Sequence, residues 1–455
     1  MGIYGYHPRC VFEDKAKPAH DGSGWAEDFG TSMIRPALAC LAALVLGMQA
    51  RAETVYVKAG QLVDVEAGRV LPKSCITIID SRITAIDRCA RPPQGARVID
   101  WQRYTVLPGL IDLHTHLADV GQGADIAEPI KRDAAETAFI GARNAYDTLM
   151  AGFTSVRDVG SFRAFGDVRL RDAIEKGLVP GPRMAVVGAY ITIAGGGGEI
   201  NGLPAGTVPP EMRAGVSSTP AEVTRNAEAL FKGGADFLKL IATGAVLAIG
   251  TEPGQLELTE DQMRAAVAVA TAHGSYATAH AHGADGIKAA IRAGVQSIEH
   301  ASLIDEEALA LAKARGVWLV MDVFNGDYID EVGTREGWPA EYLRKNRETT
   351  DVQRQMFRRG VEMGVPIAFG TDSGVYPHGL NARQFAYMVR HGMTPMQAIQ
   401  SATRDAAKVM MREQDVGAIA VGRFGDLIAV EGDPSRDIRT LERVKGVIKG
   451  GQLVR

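Results

Sequence analysis

Cysteine, aromatic residues and excess charge are all scarce in this chain of 455 residues. Four cysteines are too few for a disulfide-stapled scaffold or a set of thiolate zinc sites, so stability must come from a packed core. The 46% hydrophobic composition can supply one, and the length allows one large domain plus a small one. Formal net charge is −4 with both signs interspersed. Without a basic block or an acidic tail, a nucleic-acid footprint is excluded and small-molecule partners are favoured. No apolar run reaches the roughly 20 residues of a transmembrane helix. The glycine-rich stretch "ITIAGGGGEING" lacks both the G-x-G-x-x-G spacing and the Lys-Ser/Thr of a P-loop, so it reads as a rim over a site.

Residues 1–32 show no periodicity, and "MIRPALACLAALVLGMQARAE" begins at Met33. Arg35, the apolar stretch from Ala37 to Met48 and the small residues Ala50 and Ala52 before Glu53 form a secretory signal over 33–52. Two readings of residues 1–32 stand: translation starts at Met33, or the segment is a disordered extension. Cys40 precedes most of the apolar stretch, which argues against a lipoprotein signal. The expected location is periplasmic or secreted, with no membrane span after cleavage. Cys75 and Cys89 then remain, flanking "ITIIDSRITAID", two alternating strands around an Asp80-Ser81 turn. The hairpin brings them nearly opposite each other, as a disulfide or as two buried thiols.

Short strands fill 53–108 and return over 413–455, so both chain ends are expected to join into one small β-sandwich. Between them, 109–412 alternates apolar strand-like runs with helical ones that end in glycine. Runs apolar on both faces are what parallel strands covered by helices look like. The expected strands are 110–114, 154–158, 183–189, 236–241, 275–280, 296–300, 317–321 and 366–372. Eight strands over about 250 residues make an α/β fold of the (β/α)8 TIM-barrel type, whose chemistry sits at the carboxyl ends of the strands.

Polar groups gather at those ends. His114 and His116 are two apart, so in an extended chain both imidazoles face one side and can chelate one ion. His280 and His282 repeat that spacing, His300 ends "SIEH", and Asp372 lies in "GTDSG". Five of the eight histidines after residue 52 fall at three strand ends. Lys239 lies inside the apolar run Phe237–Ile241, where a charge is costly unless paired or neutralised. Burial makes such an amine nucleophilic. Reaction with CO2 would give a carbamate able to bridge two cations, while the plainer alternative is an ion pair with a loop carboxylate such as Glu257. Arg157 and Asp158 read as a buried stabilising pair, and His273 and His391 as helix-end histidines.

"PGLIDLHTH", "FLKLIATG", "AHAHG", "SIEH" and "GTDSG", in that order between β-rich flanks, resemble the amidohydrolase superfamily over roughly residues 54–455. The likeness is strongest to its metallo-dipeptidase branch, the Xaa-Pro and Xaa-Arg dipeptidases and ochratoxin-hydrolysing amidases. It implies two zinc or other divalent ions bridged by carboxylated Lys239 and hydroxide. His114, His116 and Asp372 would hold one ion and His280 and His300 the other. Either histidine of "HAHG" can be the ligand on spacing alone, and the resemblance favours His280. Asp372 would then move the proton, and His282 would help stabilise the oxyanion. His378, Tyr190 and Thr243 are candidate substrate contacts. Related chains carry a histidine in a "GGHG" stretch where this one has Gly197. The implied reaction is hydrolysis of the amide to a carboxyl-terminal amino acid, in dipeptides or in N-acyl amino acids, by a homo-oligomer. The alternative is a cyclic-amide, lactone or phosphotriester hydrolase on the same metals.

Overall fold

The structure is a computed structural model that describes residues 53–121 and 123–455. The signal reading at 33–52 lies outside the described residues. Among those residues, no helix is long and apolar enough to cross a membrane.

The first four strands are β1 (Thr54–Asp64), β2 (Arg69–Ile79), β3 (Arg82–Asp87) and β4 (Arg97–Pro108). Asp80 and Ser81 both take positive φ, 48° and 69°, the backbone that a two-residue hairpin needs to match strand twist. Cys75 pairs across from Asp87, so Cys89 lies just past the ladder. The two cysteines form a disulfide with Cα atoms 4.8 Å apart.

The parallel body follows as β5 (Leu110–Thr115), β6 (Phe153–Asp158), β7 (Arg183–Val186), β8 (Tyr190–Ile191), β9 (Leu238–Ile241), β10 (Ala277–Gly283), β11 (Ser297–Leu303), β12 (Trp318–Val320) and β13 (Ile367–Ala368). The chain closes with β14 (Leu427–Val430), β15 (Gly446–Lys449) and β16 (Gln452–Leu453). Strands from both chain ends share one sheet, in the order β16-β15-β14-β4-β1-β2-β3. The expected meeting of the two ends is therefore seen, but the sandwich is a single seven-stranded sheet by its hydrogen bonding. Long β4 explains this: it pairs with β1 along most of its length and with β14 through its last residues. Val57, Ile76, Trp101, Leu427 and Ile448 are among the side chains of its apolar core.

The body carries two all-parallel sheets, β13-β12-β11-β10-β9-β8 and β5-β6-β7. Backbone hydrogen bonds run between them on both sides: Asp236 N donates to Val186 O at 2.7 Å, and Leu113 N donates to Phe369 O at 3.1 Å. Every residue of β5, β6 and β10 is buried, because helices such as Ala134–Met150, Glu260–Ala272 and Ala284–Ala293 alternate with the strands. This is why the runs read as apolar on both faces.

Two strands differ from the expectation. The run 183–189 stops at Val186, since Asp167 accepts from Val187 N and Gly188 N and Gly188 turns at φ +77°. Tyr190 and Ile191 then pair with β9 instead. The run 366–372 keeps a regular ladder only at Ile367–Ala368. The expected Arg157–Asp158 pair is also replaced. Arg157 Nη2 lies 2.6 Å from Glu299 on β11, while Asp158 accepts from Leu117 N and Thr115 Oγ1. Alternation along β6 explains the split, since adjacent residues point to opposite faces.

Candidate metal centre

His114, His116, Lys239, His280, His282, His300 and Asp372 all line one cleft at the carboxyl ends of the parallel strands. The cleft opens to solvent, and its empty space is about 1010 Å³ with the open mouth included. Asp372 Oδ1 stands 3.4 Å from His114 Nε2 and 3.1 Å from His116 Nε2. The ring centroid of His300 lies 4.8 Å from that of His114 and 4.6 Å from that of His280. Two metal-sized groupings result, His114–His300–Asp372 and His280–His282–His300, each with donor atoms within 4.8 Å of one another. They share His300, so the two groupings adjoin.

Local backbone geometry sets these side chains in place. His300 and Asp372 adopt left-handed φ, +68° and +56°, which costs a non-glycine residue of order 1–3 kcal/mol and is characteristic of functional positions. The glycines of "GTDSG" make room for the first histidine pair. A Cβ on Gly370 would stand 2.2 Å from Val320 Cγ1 and 3.0 Å from His114 Cβ. One on Gly374 would stand 2.9 Å from His116 Cβ.

The ring nitrogens turned away from the cleft meet obligate acceptors. His114 Nδ1 lies 2.9 Å from Glu299 Oε2, His116 Nδ1 lies 2.8 Å from Gly160 O, and His300 Nδ1 lies 3.1 Å from Asp322 Oδ1. A carboxylate or carbonyl can only accept, so Nδ1 of each carries a proton and Nε2 is the nitrogen left to face the cleft. His280 is reversed: its Nε2 lies 3.2 Å from Gly244 O, which leaves the Nδ1 lone pair. Such outer partners orient metal-binding imidazoles and raise their basicity. Burial holds His114 and His280 far below the usual imidazole range, with neighbouring Lys239 and His300 adding to it. Burial opposes charge on His116 too, but the Asp372 carboxylate outweighs it and lifts His116 to about 9.

Lys239 is a buried cation lining the cleft. It is 2% exposed, and its Nζ has no hydrogen-bond partner among the described residues. Burial lowers its pKa to about 8, although Glu299 and Asp372 pull the other way. The ion pair with Glu257 is not formed, because Glu257 accepts from Gly197 N at 2.9 Å. An unpartnered amine among imidazoles and a carboxylate fits a carbamate shared by divalent cations, and the donor set suits zinc-like ions.

The remaining candidates divide. Tyr190 lines the cleft, with its hydroxyl 3.2 Å from His116 Nδ1. Thr243 uses its hydroxyl internally, accepting from His282 N and donating to Gly244 O. His378 is not among the cleft's lining residues; it borders a separate cavity with Arg443 and Lys445. His273 meets Glu228 at 2.9 Å on the surface, and His391 caps the helix Arg383–Arg390. Sequence reasoning missed Glu299, Asp322, Asn325 and Ser302. Asn325 Nδ2 donates to Asp322 Oδ2 and to Asp372 Oδ2 at 2.8 and 3.2 Å. Only the charged residue inside "SIEH" could have signalled Glu299, by the same argument applied to Lys239.

Parallel strands that end on a cleft of histidines, aspartate and a buried lysine define an α/β protein built for hydrolytic metal chemistry. The chain belongs to the amidohydrolase family, whose model matches residues 105–454. It is similar to ochratoxinase of Aspergillus niger, 29% identical over 432 residues that cover 90% of this chain and 88% of that protein. Its fold matches a Xaa-Pro dipeptidase with methionine bound in the active site, at a TM-score of 0.83 and 36% identity, covering 89% of this chain and all of the other. A prolidase complexed with N-methylphosphonate-L-proline matches at a TM-score of 0.82 and 28% identity, covering 88% of this chain and 99% of the other.

Proposed function

We propose that this chain is a zinc-dependent binuclear amidohydrolase. Its reaction is hydrolysis of the amide joining a carboxyl-terminal amino acid to an aminoacyl or acyl group. Xaa-Pro dipeptides and N-acyl amino acids, ochratoxin-like amides included, are the substrates in view. The observation that carries this reading is the unpartnered Nζ of Lys239 in the same cleft as two groupings of imidazole and carboxylate donors. The likeness to a Xaa-Pro dipeptidase and to ochratoxinase supports the choice of bond.

His114, His116 and Asp372 would hold one ion, His280 and His300 the other, and Lys239, carboxylated at Nζ with loss of a proton, would bridge them. When bound, the ions would polarise the scissile carbonyl and make water acidic enough to attack at neutral pH. Asp372 accepts the proton of the attacking water and delivers it to the leaving amine nitrogen. Asn325 holds the second oxygen of that carboxylate, so the base keeps one orientation. Phe162, Ile241, Val246, Leu247 and Val375 line the cleft; they receive the substrate's apolar parts and exclude water.

In this reading the parallel strands close as a (β/α)8 barrel, the chain is exported by the signal at 33–52, and it works as a homo-oligomer. The deciding experiment presents zinc-loaded protein with panels of dipeptides, N-acyl amino acids, lactones and phosphotriesters. Release of free amino acid from the first two classes is expected. Turnover confined to lactones or phosphotriesters would overturn the substrate assignment.

A further inference from the structure

The four imidazoles assigned to metal share one property that His282 lacks. Each of the four turns its outer nitrogen to a group that can only accept: Glu299, Gly160 O, Gly244 O or Asp322. His282 turns Nδ1 to the hydroxyl of Ser302 at 2.8 Å, and a hydroxyl can donate as well as accept. Ser302 Oγ has no other hydrogen-bond partner among the described residues. Within the protein its hydrogen can reach one acceptor, His282 Nδ1, when the ring proton sits on Nε2. Both residues are 4% exposed and line the cleft, and His282 N is anchored on Thr243 Oγ1 at 3.0 Å. The ring also lies flat against His300, with centroids 4.8 Å apart and planes 23° apart.

We propose that Ser302 is a positioning residue: by donating to His282 Nδ1 it places the imidazole proton on Nε2, making His282 a hydrogen-bond donor to the substrate carbonyl oxygen and not a third metal ligand. This deepens the function proposed above and rests on it. Proximity alone groups His282 with His280 and His300 as ligands. The partner chemistry separates it from them, because a donor to Nδ1 leaves no lone pair on Nε2 for an ion. A donor already aimed at the oxygen where negative charge develops strengthens in the transition state more than in the ground state.

The test compares zinc-loaded wild-type protein with Ser302→Ala, Ser302→Thr and His282→Asn. Three readouts are taken: metal content, the tautomer of His282 by 15N-histidine NMR with His282→Asn as the assignment control, and kcat and KM separately. Expected are an Nε2-protonated His282 in the wild type and unchanged metal content in all three variants. Ser302→Ala should lower kcat at least about tenfold with KM changed less than threefold, and Ser302→Thr should recover most of that loss. A wild-type His282 protonated on Nδ1, loss of an ion in His282→Asn, or a Ser302→Ala variant with wild-type kcat would each overturn the inference. Wild-type protein inert toward every amide would sink the proposed reaction, while the tautomer and metal readouts would still decide the role of Ser302.

Discussion

Replacing Lys239 with methionine should separate the fold from the chemistry, because the structure gives the change opposite effects on the two. In metal-free protein the ammonium is buried without a hydrogen-bond partner, and its pKa falls from 10.5 to about 8. Each tenfold in proton affinity is about 1.4 kcal/mol, so below pH 8 the buried charge costs the folded state about 3 kcal/mol. Between pH 8 and 10.5 the unfolded chain holds more protons at this position than the folded one. Stability of the metal-free wild type therefore rises with pH across that window. Methionine fills similar volume without charge, so Lys239→Met should be more stable than wild type at pH 7 by up to about 3 kcal/mol. The gain should fade toward pH 10.5. In the zinc-loaded enzyme the same change should abolish turnover and reduce bound metal. Denaturant midpoints of the chelator-treated proteins from pH 6 to 10.5, with amide hydrolysis beside them, make the measurement. A variant less stable at pH 7, or one retaining substantial turnover, would refute the reasoning.

Other perturbations have equally definite outcomes. Reducing the Cys75–Cys89 disulfide, which closes a loop 14 residues apart in sequence, should cost about 3 kcal/mol. Reductant should thus lower the melting temperature of the wild type and leave that of Cys75→Ser/Cys89→Ser unmoved. Arg157→Met leaves Glu299 buried and unpaired beneath His114, so denaturant unfolding should show a loss of about 3–5 kcal/mol. Gly370→Ala would push a methyl group against Val320 and His114, so metal content should fall along with kcat, read by elemental analysis of the purified variant.

The residues proposed to hold metal were legible because each stands in or at the end of an apolar run, where a charge or imidazole has no structural reason to be. Lys239 in "FLKLI" is the plainest case: a parallel strand buried on both faces leaves its ammonium nowhere to reach water. What the sequence hid were partners set by register between strands distant in the chain. Glu299 meets both Arg157 and His114 only because β11 lies across the body from β5 and β6, and nothing in "VRDVG" says that Arg157 points inward while Asp158 points away. His378 looked like a residue of the mouth from its place after the eighth strand, yet it borders another cavity. The strand order of the small domain was hidden for a related reason. Alternation marks strands without telling which edges pair, and β4 is long enough to join both chain ends into one sheet.

The most direct test is to load purified protein with zinc in 13C-bicarbonate and record metal stoichiometry together with the 13C carbamate resonance. The account predicts two ions per chain and one carbamate signal that disappears in Lys239→Met. A single ion per chain with no carbamate signal would contradict it.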